Sequence, residues 1–460
     1  MKQIKYIAAV LVAVSTALSA EAQTAKSSYF LEGAFHNTQM NPAMKAERNF
    51  ISFPVLGNMG FALKGNVGLT NFLYPHGENE LKTFMHKSVS AEEFLGDLPT
   101  KTKFGFNLDM TLFALGFRAF GGYNTMNLTL HSETGINLPK GMFEFMKLGF
   151  ARNAYSFSDL NVNSMSYAAL TIGHSREVIE NLRVGVNLKY LVGLEYADLY
   201  VNKMNINLAG DAWEAESHMT GRLATAAEAN WLLNEDGQID DIDVVFNKPM
   251  ASGFAVDLGA TYDLKDFVDG LKVSASIVDL GSIKWKHMIK AKTNDTKVRF
   301  DGFNEIDIDD FETSVEDQLD EIQEDAEKMV ELYPDGEKAV TESTKLAATM
   351  YLGAEYEMPF YKRLSAGVLY ANRFSDVAGW YDLRGYLNIS PVNWLEASVN
   401  YGVTTYGQAF GWMFNFHPVG FSFFIGSDFM ITDVAPQFVP LNDLNANVTF
   451  GISIPFGRRK

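Results

Sequence analysis

Residues 182–196 read LRVGVNLKYLVGLEY, and this stretch decides the fold class. Every second residue up to Tyr196 is apolar, whereas the residues between them include Arg183, Lys189 and Glu195. Successive side chains of a β-strand point to opposite faces, so a period of two gives one apolar and one polar face. A helix, with its 3.6-residue period, would scatter the same residues around its axis. The stretch therefore predicts a membrane strand whose apolar face meets lipid and whose other face lines a lumen.

The same alternation recurs along the chain. Its last instance, 444–456, has seven apolar positions on one face and ends on Phe456, followed by four residues. A terminal amphipathic strand of this kind resembles the signal that the barrel-insertion machinery reads. Segments with strand character lie near 50–57, 59–70, 104–118, 121–132, 159–174, 182–196, 199–210, 215–226, 252–262, 271–280, 283–299, 346–356, 363–374, 381–390, 394–403, 407–417, 419–429 and 444–456. Because bacterial barrels have even strand counts, we predict an all-β, antiparallel transmembrane β-barrel of about 14 strands, with about 16 as the alternative.

The N-terminus carries an export signal. Lys2 and Lys5 precede an apolar run over 6–18, and Ala20-Glu21-Ala22 fits a small-residue cleavage site, so residues 1–22 are predicted to be a signal peptide. No later window holds 18 consecutive apolar residues, and the chain contains no cysteine. We therefore expect an outer-membrane location, with a soluble exported β-protein as the alternative.

The remaining chain divides into two parts, the second of which carries an insertion. Residues 23–48 are polar without alternation and are expected to form an N-terminal plug or hatch, and 49–460 are expected to form the barrel. Within the barrel, 301–338 holds 16 acidic and 2 basic residues and accounts for most of the net charge of −18. Helical spacing over 314–333 predicts an amphipathic helix in an extracellular loop. Two short helices are also expected, one after Ser90 and one over 139–149.

Charged residues on the polar strand faces are expected to line the lumen. They are Arg183, Lys189, Glu195, Asp257 and Arg384. Because their signs are mixed, they predict a wall of paired charges rather than an ion-selective ring.

The sequence holds no local signature of catalysis or of a cofactor. The G-x-S-x-G and H-E-x-x-H motifs are absent, and no two histidines are spaced as a local metal pair. Residues 232–243 match part of a calcium loop, but Leu232 stands where the first carboxylate belongs, which favours an ordinary turn at Asp236-Gly237. We therefore expect no enzymatic activity, no metal or cofactor, and no nucleic-acid partner.

Short motifs give the chain a family resemblance. Asn41-Pro42-Ala43 follows the signal peptide, and 53–57, 138–140, 257–259 and 279–285 supply further matches in the same order. The chain resembles an uncharacterised family of Bacteroidetes outer-membrane proteins, a domain of unknown function. That family is distantly similar to long-chain fatty-acid transporter barrels and to barrels of type nine secretion. The resemblance implies about 14 strands and a hatch that contains the Asn-Pro-Ala turn.

Two functions remain open at this stage. The first is an outer-membrane barrel for the passage or binding of hydrophobic small molecules. The second is a non-transporting scaffold or secretion-associated barrel that docks partner proteins through 301–338. Outer-membrane lipid and the insertion machinery are expected partners in both cases, and no protein partner can be named.

Overall fold

The computed structural model describes residues 25–54, 56–76, 80–208, 212–245, 251–300, 324–325, 327–429 and 445–457. The strands of its first half are β1 (Asn49–Ser52), β2 (Asn58–Gly65), β3 (Leu73–His76), β4 (Glu80–Thr83), β5 (Lys101–Ala119), β6 (Gly122–Pro139), β7 (Ala154–Ser156), β8 (Asn161–Ile179), β9 (Leu182–Asn207), β10 (Trp213–Thr225), β11 (Glu228–Leu233) and β12 (Ile239–Val245). The strands of its second half are β13 (Ala251–Asp263), β14 (Leu271–Lys292), β15 (Thr296–Phe300), β16 (Tyr333–Pro334), β17 (Val340–Lys345), β18 (Thr349–Glu357), β19 (Leu364–Arg373), β20 (Trp380–Val392), β21 (Leu395–Thr404), β22 (Gly407–Phe416), β23 (Ser422–Ser427) and β24 (Ala446–Phe456).

Helices are few among the described residues. The α-helices are α1 (Ala91–Gly96) and α2 (Lys140–Leu148), and four 3-10 helices span Lys26–Ser28, Phe35–Gln39, Leu69–Asn71 and Gly149–Ala151. Helix α1 begins after Ser90, whose hydroxyl accepts a hydrogen bond from the Glu93 backbone N–H at 3.0 Å, as its capping spacing predicts. No helix among the described residues is long and apolar enough to cross a membrane.

Most strands join into a closed antiparallel barrel of 14 wall strands, which confirms the predicted fold class. Strand β24 pairs with β1 and β2 and thereby closes the ring. Five wall strands are composite, because two or three separate elements pair with the same neighbour: β1 with β2, β7 with β8, β10 with β13, β14 with β15, and β16 with β17 and β18. Hairpins β3–β4 and β11–β12 lie outside the ring.

These composite strands explain why the barrel has fewer wall strands than the sequence has predicted segments. Segments 182–196 and 199–210 are the single strand β9, and segments 271–280 and 283–299 share one wall strand. Segments 215–226 and 252–262 pair with the same strand, β9, although the hairpin β11–β12 separates them in sequence. Together with 50–57 and 59–70, these mergers reduce the 18 predicted segments to 14 strands. The local pattern cannot distinguish an irregularity within a strand from a turn between two strands.

The two ends of the barrel differ in their connections. At one end, the short-turn end, two residues join β5 to β6, β8 to β9, and β20 to β21. In the first of these turns both Phe120 and Gly121 have positive φ, as a tight hairpin turn requires. At the opposite, long-loop end, the connections run over 66–100 and 140–160 and carry α1, α2 and the hairpin β3–β4. The hairpin β11–β12 lies on 226–250, between the two parts of the wall strand made by β10 and β13. Residues 49 and 456 lie at the short-turn end.

A β-bulge changes which residues of β9 face inward. In the pairing with β8, Gly193 faces Tyr167 and Glu195 faces Ser166, so Leu194 is an extra residue. A one-residue shift exchanges the faces of all later side chains. The prediction that Tyr196 meets lipid is therefore wrong, because Tyr196 is only 4% exposed and lines the lumen.

Glu195, predicted to face the lumen, is turned away from it by the same bulge. It is absent from the residues that line the luminal cavity. Ala197, two residues further along the same face, packs against the same buried cluster as Trp231 and Ile242 of the hairpin β11–β12. Glu195 therefore lies on the outer face of β9, at the side that this hairpin covers.

Candidate functional site

Residues 25–48, which we call the luminal segment, lie inside the ring and are mostly buried. Two hydrophobic clusters join this segment to the inner wall. In one, Phe35 stacks on Phe50 and contacts Phe424. In the other, Tyr29 packs against Tyr351, and Phe30 packs against Tyr386. The luminal segment and the inner wall of the barrel thus share these two hydrophobic clusters.

Buried charges hold the start of the luminal segment. The backbone N–H groups of Lys26 and Ser27 donate to the two carboxylate oxygens of Asp428 at 2.9 and 2.8 Å. The Lys26 ammonium lies 3.3 Å from Asp382, which also accepts hydrogen bonds from Arg384 at 2.8 and 2.9 Å. Charge-assisted hydrogen bonds of this kind are stronger than neutral ones. The network therefore fixes the segment to β20 and to the end of β23.

The Asn-Pro-Ala turn lies against two wall glycines. The side-chain oxygen of Asn41 accepts the Ala43 backbone N–H at 2.9 Å, which closes the turn. A Cβ atom on Gly185 would lie 2.1 Å from the Pro42 carbonyl oxygen, and one on Gly259 would lie 2.1 Å from the Asn41 side-chain oxygen. Real Cβ atoms essentially never come closer than 3.0 Å to such atoms. The turn can therefore occupy this position only because β9 and β13 have glycine there.

Further hydrogen bonds hold the middle and the end of the luminal segment against the wall. Glu396 accepts the Gly33 backbone N–H at 3.1 Å, and Arg118 donates to the Glu47 carbonyl at 2.8 Å. Ser276 donates to the Met40 carbonyl at 2.7 Å. Since these partners lie on β21, β5 and β14, the segment contacts the wall around its circumference.

His36 is an unusual member of the luminal segment. It is fully buried and stacks on Phe424 at 4.2 Å, and neither ring nitrogen has a hydrogen-bond partner among the described residues. Burial lowers the pKa of His36 to about 3, and the charge of Asp428 offsets this only partly. The imidazole is therefore neutral in the folded protein at ordinary pH.

This burial predicts a pH-dependent stability. Between the ordinary histidine pKa of about 6.5 and the folded-state value of about 3, the unfolded chain binds a proton at His36 that the folded chain does not. The stabilisation is complete above that range and is lost as the pH falls through it. Relative to His36→Phe, we expect the wild type to lose about 2–3 kcal/mol of unfolding free energy between about pH 7.5 and about pH 4.5.

Urea unfolding of both proteins at the two pH values measures this difference. The phenylalanine variant keeps the ring stack and sacrifices no hydrogen bond, so it is the matched control. Equal pH dependence in the two proteins would show that His36 is not buried as described.

A cavity of about 1350 Å³ lies between the luminal segment and the long-loop end. Gln39 and Met40 of the luminal segment line its inner end. Thr405, in the turn between β21 and β22 at the long-loop end, lines its outer part. The wall around it carries both charged and aromatic side chains, including Tyr167, Tyr196 and Tyr351.

Ion pairs organise the charges of the cavity wall. Lys189 bridges Asp257 at 2.9 Å and Asp279 at 2.7 Å, and the Asp279 backbone N–H donates to Asp257 at 2.8 Å. Asn187 also donates to Asp257 at 2.9 Å. Asp279 has a φ of 62° at a bulge in β14, which brings its carboxylate beside that of Asp257.

A second group of pairs lies on β5, β6 and β19. Glu133 pairs with Arg373, and Asp109 pairs with His131, whose other ring nitrogen is 2.7 Å from the Thr129 hydroxyl. Each charge of the group has a partner of opposite sign or a hydrogen bond. Together with the Lys189 group, these contacts make a wall of paired charges.

The residues that were predicted to line the lumen lie in different places in the structure. Lys189 and Asp257 line the cavity together, whereas Arg384 is buried beside it in the Asp382 and Asp428 network. Arg183 donates to Ser175 near the short-turn end. Glu195 lies on the outer face, as described above.

Several cavity residues were not predicted. Thr129, His131 and Glu133 alternate with Leu128 and Leu130, so the period of two was present in the sequence. The neighbours Arg373 and Trp380 carry no such signal, since only the register of β19 and β20 brings them together.

Three other predictions concern features outside the cavity: the turn near Asp236, the absence of a metal site and the acidic helix. Asn234 to Gln238 form a tight turn in which the Asn234 side chain accepts two backbone N–H groups, consistent with the turn interpretation. No cluster of three or more potential metal ligands occurs within the described ranges. Of the predicted acidic helix 314–333, residues 314–323 lie outside the described residues, and 324–325 and 327–328 are helical. The predicted end of this helix is wrong, because Tyr333 pairs with Lys292 in strand β16.

Comparisons with solved structures return barrels with low identity. The toluene transporter TbuX of Ralstonia pickettii gives a TM-score of 0.40 at 8% identity, covering 92% of this chain and 93% of that chain. A FadL homologue of Pseudomonas aeruginosa gives 0.40 at 10% identity, covering 95% and 99%. The translocator domain of the autotransporter NalP from Neisseria meningitidis gives 0.33 at 7% identity, covering 89% and 88%.

Comparison with curated proteins finds no match. A family model matches residues 42–428, from the Asn-Pro-Ala turn to the buried Asp428. This match covers most of the chain and confirms the expected assignment to a domain of unknown function. The chain belongs to the Family of unknown function (DUF5723).

Proposed function

We propose that this protein is an outer-membrane barrel that admits a small molecule from the cell exterior into a lumen closed by its N-terminal segment. The observation that carries the proposal is the cavity of about 1350 Å³, which reaches the long-loop end and stops at Gln39 and Met40. Below these residues the luminal segment contacts the wall on several sides. A molecule that enters the cavity therefore meets a plug rather than an open pore.

The outer surface supports a membrane location. On β9, Val186, Leu188 and Tyr190 are 41%, 61% and 45% exposed, whereas the residues between them face inward. A soluble barrel would expose polar residues at these positions, and lipid favours apolar ones. Short turns at one end and long loops at the other are typical of outer-membrane barrels, in which the long loops face outward. Lipid is the partner that this surface fits.

The cavity wall indicates the kind of molecule. Its aromatic and aliphatic side chains suit an apolar body, as in the hydrophobic small molecules considered above. The paired charges and amides beside them require hydrogen-bonding groups on the same ligand. An amphipathic small molecule therefore fits better than a hydrocarbon. The docking alternative depends on 301–338, most of which lies outside the described residues.

Cysteine labelling tests the proposal directly, because the chain has no native cysteine. We expect Gln39→Cys to react with a small membrane-impermeant thiol reagent added to intact cells, since Gln39 lines the inner end of the cavity. Ala34→Cys, on the same segment but only 1% exposed, should not react. Labelling of neither position in intact cells, with labelling of both after denaturation, would contradict entry from the exterior.

A further inference from the structure

Three side chains at the inner end of the cavity form a chain of hydrogen bonds. Asp109 bonds the Nδ1 atom of the His131 ring, and the Nε2 atom of the same ring lies 2.7 Å from the Thr129 hydroxyl. All three residues line the cavity. The side chains of His131 and Asp109 are 27% and 24% exposed, so a molecule in the cavity can reach the imidazole. The group is therefore open to the lumen rather than sealed between strands.

Strand geometry places these groups together. Thr129 and His131 are two residues apart on β6 and therefore share its inner face. Asp109 is the direct partner of His131 in the pairing of β5 with β6. Thr111, two residues further along β5, is the partner of Thr129 and accepts a hydrogen bond from Gln39 at 3.3 Å. The group therefore lies next to the luminal segment, at the place where an entering molecule stops.

The hydrogen bonds determine the direction in which a proton can move. A carboxylate only accepts, so Asp109 holds the imidazole as the tautomer that carries its proton on Nδ1. The Nε2 atom of the neutral ring is then an acceptor, and the Thr129 hydroxyl donates to it. The carbonyl oxygen of Ala169, at 3.5 Å, is a more distant acceptor for this hydroxyl. A hydroxyl that donates to an imidazole oriented by a carboxylate is the arrangement that activates a nucleophile for acyl transfer.

The surroundings of the group fit an ester as the substrate. The side chain of Asn127, two residues before Thr129 on the same face, also lines the cavity. Its amide N–H groups can donate to the carbonyl oxygen of an ester held over Thr129, where negative charge develops during attack. The ring of Tyr167 stacks on His131, with 4.9 Å between the centroids, and adds apolar surface beside them. An ester joins an apolar acyl chain to a polar alcohol, which matches the amphipathic ligand that the cavity wall indicates.

We propose that the cavity is the active site of an esterase, with Thr129 as the nucleophile, His131 as the general base and Asp109 as the residue that positions the imidazole. The Thr129 oxygen forms a bond to the ester carbonyl carbon, and its proton passes to His131 Nε2. The alcohol then leaves with that proton. A water molecule, deprotonated by His131, attacks the acyl-threonine, the carboxylic acid is released, and the proton returns to Thr129. The inference rests on the proposed function, since the ester must first reach the cavity from the exterior.

Ester hydrolysis and covalent labelling of the full-length protein in detergent test the inference. The probes are para-nitrophenyl octanoate as the ester and an alkyl fluorophosphonate, which phosphonylates an activated hydroxyl with loss of fluoride. We expect the wild type to release nitrophenolate and to carry the phosphonate on Thr129, located by peptide mass spectrometry. Thr129→Val and His131→Gln should each lower kcat/KM at least about 100-fold, the usual contribution of a general base. Thr129→Val should also take up no label.

Further variants separate catalysis from a structural role. Thr129→Ser keeps the hydroxyl and should retain both hydrolysis and labelling. Thr125→Val, on the same strand and face but outside the described lining of the cavity, is the matched control and should hydrolyse the ester as the wild type does. Asp109→Asn should lower kcat and leave KM unchanged, because it disturbs the orientation of the imidazole and not the binding of the ester. Heat-modifiable mobility on a gel shows whether each variant still forms a barrel.

Each contrary result has a distinct meaning. If Gln39→Cys reacts from outside while the wild type neither hydrolyses the ester nor takes up the label, the esterase is wrong and entry into the cavity stands. Hydrolysis that Thr129→Val leaves unchanged would overturn Thr129 as the nucleophile. Loss of hydrolysis in Thr129→Ser as complete as in Thr129→Val would do the same. An unreactive Gln39→Cys would count against the proposed function itself.

Discussion

Replacing Gly185 and Gly259 together by alanine will open the barrel to ions. Each added Cβ would lie 2.1 Å from an atom of the Asn-Pro-Ala turn, the Pro42 carbonyl oxygen or the Asn41 side-chain oxygen. At Gly185 the obstacle is backbone, which cannot turn aside as the end of a long side chain can. The luminal segment must therefore leave its position, while the wall strands keep their pairing.

Planar-bilayer recordings measure this effect. We expect the wild type to be essentially closed and the double variant to show stable ion conductance, because the lumen is left unobstructed when the segment moves. Gly385→Ala is the matched control, since the nearest atom to its added Cβ is 4.0 Å away. Heat-modifiable mobility on a gel reports whether each variant still forms a barrel. A folded double variant that conducts no better than the control would show that the segment does not close the lumen.

Replacing Lys189 by methionine will cause a large loss of stability. The substitution removes the only cation that the structure places within 3 Å of both Asp257 and Asp279 among the described residues. Asp257 is fully buried, so its carboxylate would remain without a counter-charge in a low-dielectric wall. Breaking one side of a buried ion pair costs about 3–5 kcal/mol.

Urea unfolding in detergent micelles, followed by tryptophan fluorescence, measures the change in unfolding free energy. Lys203→Met on the same strand is the control, because its pair with Glu216 is largely exposed and should contribute no more than about 1 kcal/mol. The triple variant Lys189→Met, Asp257→Asn, Asp279→Asn should recover much of the loss by removing the unpaired charges. If Lys189→Met and Lys203→Met proved equally mild, the buried group of charges would not exist as described.

Much of the barrel wall could be predicted from the sequence, because the alternation of apolar and polar side chains depends only on the strand that carries it. Alternation in 182–196 reflects the two faces of one strand, and a strand has those faces whatever it pairs with. The same reasoning placed Lys189 and Asp257 on the luminal side, where both now line the cavity. It failed at Tyr196 and Glu195, because the bulge at Leu194 is set by the pairing with β8 and leaves no local mark.

The candidate site was largely beyond prediction, because it depends on contacts between distant residues. Ser27 meets Asp428 across 401 positions, and Gly33 meets Glu396 across 363. The Asn-Pro-Ala motif was visible in the sequence. Its contact with Gly185 and Gly259 could not be predicted, because many other glycines occur on the strands. The pairing of Arg373 with Trp380 likewise exists only once β19 and β20 are in register.

By itself the sequence determined that this chain makes amphipathic strands and forms an antiparallel β-barrel, because a period of two is imposed within each strand. The sequence also predicted about 14 strands and an N-terminal plug. Only the tertiary structure decided which of the 18 candidate segments merge to give 14 strands, where residues 25–48 contact the wall, and that a polar cavity remains above them. The physical reason is that register, bulges and the fit of the luminal segment depend on which distant strands pair. Those pairings follow from the closure of the whole ring and cannot be read from any one strand.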